Sequence, residues 1–85
     1  MARPYIISGI DIGNSQVKVV IAKISGDDLR PEIIGSGNAL SYGLRKGMVV
    51  DMEETIENVH SAVQRAEATA GIKIKSAYLA VSGLH

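Results

Sequence analysis

The chain has 85 residues, nine Lys or Arg against nine Asp or Glu, and no cysteine. That length holds one small domain or part of one, with a modest core. Balanced charge excludes a basic nucleic-acid stripe and an acidic disordered tail, and the missing cysteine excludes disulfides and thiolate metal sites.

Phe and Trp are absent as well, so the core has to come from Ile, Val, Leu, Ala and Met. His60 and His85 are far apart and have no ligand cluster around them, which argues against zinc. The longest apolar stretch, residues 17–24, is interrupted by Lys18 and Lys23. It is far below the ~20 residues that a membrane span needs. Met1-Ala2-Arg3-Pro4 leads into a strand too short and too polar for a signal peptide, so a cytoplasmic protein is expected.

Residues 5–12 form a nearly continuous apolar run and predict a strand buried on both faces. The segment Gly9-Ile10-Asp11-Ile12-Gly13-Asn14-Ser15-Gln16-Val17-Lys18 then turns the chain. Gly, Asn and Ser between two β-rich runs predict a tight hairpin, with residues 16–25 as the partner strand. Period two places Val17, Val19 and Ile21 on one face and Lys18, Val20, Ala22 and Ile24 on the other. Gly26, Asp27 and Asp28 make a turn. Pro31 opens a third strand at a position where proline is permitted. Gly35 and Gly37 within it predict a bend or a close backbone approach.

Residues 40–50 read as a long connection. Asp51 then caps a helix over about 52–70, with Glu54 completing an Asp variant of the capping box. Ile56, Val59, Val63, Ala66 and Ala70 recur at helical spacing and predict the buried stripe; Glu57, Asn58, Gln64, Arg65 and Glu67 face away from it. Gly71 stops the helix. Residues 74–82 read as a last strand. The order is βββαβ, an α/β arrangement in which the helix crossover makes the last strand parallel to one already in the sheet.

Three segments carry more than periodicity. Gly9-Ile10-Asp11-Ile12-Gly13 resembles the first phosphate motif of the actin and sugar-kinase superfamily. Residues 41–51, from Ser41 through Tyr42-Gly43-Leu44-Arg45-Lys46-Gly47 to Asp51, and residues 77–85, ending Ser82-Gly83-Leu84-His85, resemble the actin-like bacterial cell-division branch of it. The resemblance covers nearly the whole chain. It implies a ribonuclease H-like, actin-like subdomain with a mixed sheet. The second lobe, the second phosphate motif and the C-terminal membrane-binding helix of that family lie outside residues 1–85, so the chain is read as a fragment of the first subdomain.

The resemblance implies ATP and Mg²⁺ as ligands, weak or absent in binding to the isolated chain. Gly13, Asn14, Ser15, Gln16 and Lys18 are the candidate phosphate-contacting residues, and Asp11 the candidate Mg²⁺-proximal residue, acting through water. Many relatives carry a lysine where this chain has Gln16, whereas other members carry it at the Lys18 position. Both positions share a strand face. Each of these residues also has a plainer reading: Asp11 as a turn cap, Gly13-Asn14-Ser15 as turn chemistry, Lys18 as a solvated charge. Arg45 and Lys46 read as a solvated loop pair, and His60 has no catalytic role.

No residue is a convincing base for an attacking water, so the chain alone is expected not to be an enzyme. The full-length family member is implied to be a weakly hydrolysing ATP-binding protein. It would link the tubulin-like division ring to the inner face of the cell membrane at the division site. Its partners would be that ring protein and further copies of itself, without nucleic acid. The isolated chain is expected to touch no membrane and to form an oligomer or strand-exchanged dimer. Three other readings stay open: an actin-like adaptor of type IV pilus assembly, a sugar-kinase-like enzyme, and a free-standing interaction domain.

Overall fold

In the computed structural model the described residues are 3–13, 16–26, 30–40, 44–45, 48–49 and 52–81. Three long strands, β1 (Tyr5–Ile12), β2 (Gln16–Ile24) and β3 (Pro31–Leu40), come first. A two-residue pair follows, β4 (Leu44–Arg45) and β5 (Met48–Val49). The helix α1 (Met52–Ala70) and a short strand β6 (Tyr78–Val81) complete the order. The main sheet runs β3-β2-β1-β6. β2 is antiparallel to both β1 and β3, whereas β6 is parallel to β1, the pairing expected of a helical crossover.

The core lies between β2, β3 and α1. Val17, Val19 and Ile21 point from β2 to the helix and are buried against Ala62 and Ala66. The close approach expected at Gly35 and Gly37 is real. A Cβ on Gly35 would stand 2.5 Å from the Ala66 carbonyl oxygen and 2.6 Å from Ala70 Cβ. One on Gly37 would meet the Ala62 carbonyl oxygen and come within 2.7 Å of the Ala66 nitrogen. A glycine strip under an alanine strip lets the helix sit almost backbone to backbone on the edge strand, without strain. One residue, Ile34, is extra on β3: Ile21 pairs with Gly35 and Ala22 with Ile33. This is the signature of a β-bulge.

Several sequence expectations are corrected here. β1 is not buried on both faces: Tyr5, Ile6 and Asp11 are exposed, because α1 covers only one side of the sheet and lies over β2 and β3. The connection after β3 is not wholly irregular, since β4 and β5 pair within it. The last strand starts at Tyr78 rather than at residue 74. On the helix, Ile56 is exposed while Ala62 and Thr55 are buried, so the stripe is centred on small residues that fit the glycine strip.

Glu67 also turns inward. Its carboxylate accepts the Ile74 N–H at 2.7 Å and lies 3.9 Å from Lys73 Nζ. Asn58 is half-buried, and its Nδ2 is buried with no hydrogen bond among the described residues. Gly71 stops the helix at φ +75°, its N–H donating to the Glu67 carbonyl at 2.8 Å, the C-terminal geometry that glycine favours. The capping role expected of Asp51, the turn at Asp27 and Asp28, and the segment 82–85 lie outside the described residues. No described helix is long and apolar enough to cross a membrane.

Candidate functional site

The hairpin between β1 and β2 is closed by a hydrogen bond from the Gly13 N–H to the Gln16 carbonyl, 2.9 Å. Candidate phosphate contacts at Asn14 and Ser15 lie outside the described residues.

The register around this turn decides what the site contains. Asp11 pairs with Lys18 across the hairpin, Lys18 pairs with Asn38 on β3, and Asp11 pairs with Ala80 on β6. Paired residues share a sheet face. Ala80, Asp11, Lys18 and Asn38 therefore make one row across all four strands. Val17 and Val19 alternate to the opposite face, where α1 sits. Asp11 and Lys18 are both exposed, on the side of the sheet that α1 leaves open. Gln16 lies one step nearer the turn on that same side and accepts a hydrogen bond through Oε1 from Asn38 Nδ2 at 3.4 Å. A shallow groove of about 260 Å³ lies over β2 and β3 at the Lys18–Asn38 end of the row, lined by Lys18, Val20, Ser36 and Asn38 among others.

The sheet thus brings Asp11, Gln16 and Lys18 to one end and one face, with the hairpin-closing Gly13 beside them. Two residues that the sequence did not mark join them. Asn38 enters the row through the β2–β3 register. Arg65 is exposed, as expected of a residue outside the buried stripe, and reaches from α1 to β3, donating from Nη1 to the Asn38 carbonyl at 2.7 Å. The signal for Arg65 was Gly35 and Gly37, which fix where the helix lands on β3. His60 is exposed and lines an apolar groove with Ile12, Ile56, Val59 and Val63, away from this row.

Whether a divalent cation fits can be judged from the donor set. Among the described residues no three metal-ligating side chains gather, so an all-protein cage is ruled out there. Asp11 does supply a carboxylate of the kind Mg²⁺ takes, since that ion keeps most of its water and shares the rest of its shell with substrate phosphates.

A sheet ordered β3-β2-β1-β6, with an antiparallel hairpin first and a helical return to a parallel strand, is the opening unit of the actin-like, ribonuclease H-like class. The solved structure of a diol dehydratase-reactivating factor in nucleotide-free form superposes on it with a TM-score of 0.63 and 26% identity, over 91% of this chain and 12% of that one. No family model matches the chain.

Within that class, the sequence is similar along most of its length to the cell division protein FtsA. Identity is 46% with the protein of Enterococcus faecalis, over 89% of this chain and 17% of the relative. With that of Enterococcus hirae it is 44%, over 88% and 16%. The chain spans about a sixth of the length of these curated relatives.

Proposed function

We propose that these residues supply the first phosphate-contacting hairpin of an actin-like, ATP-binding protein of bacterial cell division. The observation that carries this reading is the pairing of Asp11 with Lys18 next to the closed turn, in a chain similar to FtsA over nearly nine-tenths of its length. The two groups have opposite work. The Lys18 ammonium and the N–H groups of the turn attract the terminal phosphates, and Asp11 holds a water of the cation's shell. When bound beside Asp11, Mg²⁺ would supply positive charge against the phosphates.

In the whole protein a second lobe closes over the nucleotide, and closure favours polymerisation. The wider role is that of linking the tubulin-like division ring to the membrane, at the inner face of the cell membrane, with that ring protein and other copies as partners. The 85-residue chain alone is expected to perform no hydrolysis: among the described residues no group is placed to activate water. A charge-assisted hydrogen bond contributes about 1.5–3 kcal/mol. Immobilising the ligand costs about 4–15 kcal/mol. Half a site therefore binds at about millimolar strength or weaker.

A chimera tests the reading in cells. The 85 residues replace the matching stretch of FtsA from Enterococcus faecalis, and native FtsA is then depleted. The chimera supports septation, and its Asp11→Ala form does not. Filamentation with a stably expressed chimera, or full rescue by Asp11→Ala, contradicts the proposal.

A further inference from the structure

We propose that Arg65 and Asn38 are positioning residues for the phosphate-contacting hairpin, forming a relay that fixes the turn and presents the Gln16 amide nitrogen to an anion. The inference rests on the phosphate reading of the hairpin given above.

The relay starts on the helix. β3 is an edge strand, so the carbonyls on its outer side have no ladder partner. Helix α1 supplies a missing donor. Arg65 Nη1 donates to the Asn38 carbonyl at 2.7 Å. The Thr69 hydroxyl donates to the Arg65 carbonyl at 3.0 Å and lies 3.5 Å from the Ser36 carbonyl, two residues earlier on β3. Gly37 makes the Arg65 contact reachable, since a Cβ there would stand 2.8 Å from Arg65 Cβ. A short bond from a guanidinium to a carbonyl is charge-assisted and directional. It pins the backbone of β3 at the residue whose side chain reaches the hairpin.

Asn38 passes the constraint on. Its Nδ2 donates to Gln16 Oε1 at 3.4 Å. An amide has one oxygen acceptor and one nitrogen with two donor hydrogens. With its oxygen held by Asn38, Gln16 keeps its Nε2 hydrogens for another partner. That choice of face suits an anion at the turn and opposes a cation. The backbone of Gln16 closes the turn, accepting from the Gly13 N–H at 2.9 Å. Arg65, Asn38, Gln16 and Gly13 are thus joined by three consecutive hydrogen bonds that run from α1 to the phosphate-contacting end of the sheet. The relay gives the uncharged Gln16 amide a donor polarity toward the turn.

Two readouts test it, one without ligand. In the ligand-free chain, Arg65→Ala speeds amide hydrogen exchange at Gly13 while leaving Val19 and Ile21 in the core unchanged, and Arg65→Lys restores the slow rate. A purely structural role would speed exchange at the core amides and the turn together. In titrations with ATP·Mg²⁺ followed by amide shifts, Asn38→Ala and Gln16→Ala each weaken binding about threefold to fivefold, the worth of one modest hydrogen bond. The double substitution weakens it no further than either alone, because the two side chains act through one contact.

Unchanged Gly13 exchange in Arg65→Ala overturns the relay, as do additive effects of the two amide substitutions. If the unsubstituted chain gives no response to ATP·Mg²⁺, the phosphate reading fails, and with it the role of the Gln16 amide; the exchange arm then judges the mechanical relay by itself.

Discussion

Asp11 and Lys18 stand opposite each other on β1 and β2, one register step before the last pair of the hairpin. Both belong to the face that α1 does not cover, and both are exposed. Opposite charges facing each other on exposed cross-strand positions contribute about 0.2–1 kcal/mol at most. Their separate replacement by alanine is therefore expected to move the urea midpoint little, by less than about 1 kcal/mol in stability. Each should nevertheless remove the response to ATP·Mg²⁺. A large stability loss with ligand response intact would make the pair structural instead.

The glycine strip gives a sharper stability test. Gly37→Ala drives a methyl into the backbone of α1 at Ala62 and Ala66, and Gly35→Ala does the same at Ala66 and Ala70. Backbone atoms cannot rotate aside, so each substitution is expected to cost about 1–3 kcal/mol or more in urea unfolding. Gly9 is the internal control. Nothing lies within 4 Å of a Cβ there. Gly9→Ala should be neutral or stabilise by about 0.5–1 kcal/mol, since glycine in a strand interior is unfavourable.

Glu67 anchors the return from the helix to β6. Its carboxylate takes the part-buried Ile74 N–H, whereas its Lys73 partner is 88% exposed. Removing an ionised acceptor leaves that N–H without its partner. Glu67→Ala is thus expected to destabilise by about 1.5–3 kcal/mol. Lys73→Ala should cost less than about 0.5 kcal/mol, because screening by water leaves little of that ion pair. Equal losses in the two variants would show that the ion pair, not the backbone bond, matters.

Self-association is expected through the β6 side of the sheet. All four β6 residues are exposed, with Tyr78 at 78% and Leu79 at 64%. An apolar edge strand of this kind invites pairing with another copy. Sedimentation velocity should show a dimer or larger species that grows with concentration and recedes in Leu79→Lys. A monomer at every concentration would contradict this.

The hairpin, the glycine-bearing strand, the helix stop at Gly71 and the parallel return were legible because each rests on local chemistry: turn residues, period two and the left-handed freedom of glycine. Less legible was which helical residues would be buried. Ile56 outranks Ala62 in hydrophobicity, yet only an alanine fits over Gly37. Burial here follows available space more than transfer energy. The two-sided burial expected for β1 failed for a related reason, since a strand can be apolar on both faces while the described residues supply one covering helix. At the site, Asp11, Gln16 and Lys18 were marked by sequence. Asn38 was not, because the bulge at Ile34 shifts the β2–β3 register by one residue, and that shift cannot be read from the pattern of a short strand. Arg65 was not, because its partner is a backbone carbonyl on a strand distant in sequence.

The most direct test of the central claim is a titration of ATP·Mg²⁺ into isotope-labelled chain, following backbone amide shifts. The account predicts changes confined to the turn and its flanks, at Gly13, Gln16 and Lys18. They should saturate only at about millimolar ligand, weaken without Mg²⁺ and vanish in Asp11→Ala. Absence of any shift, or shifts spread over the apolar grooves and indifferent to Asp11→Ala, would contradict it.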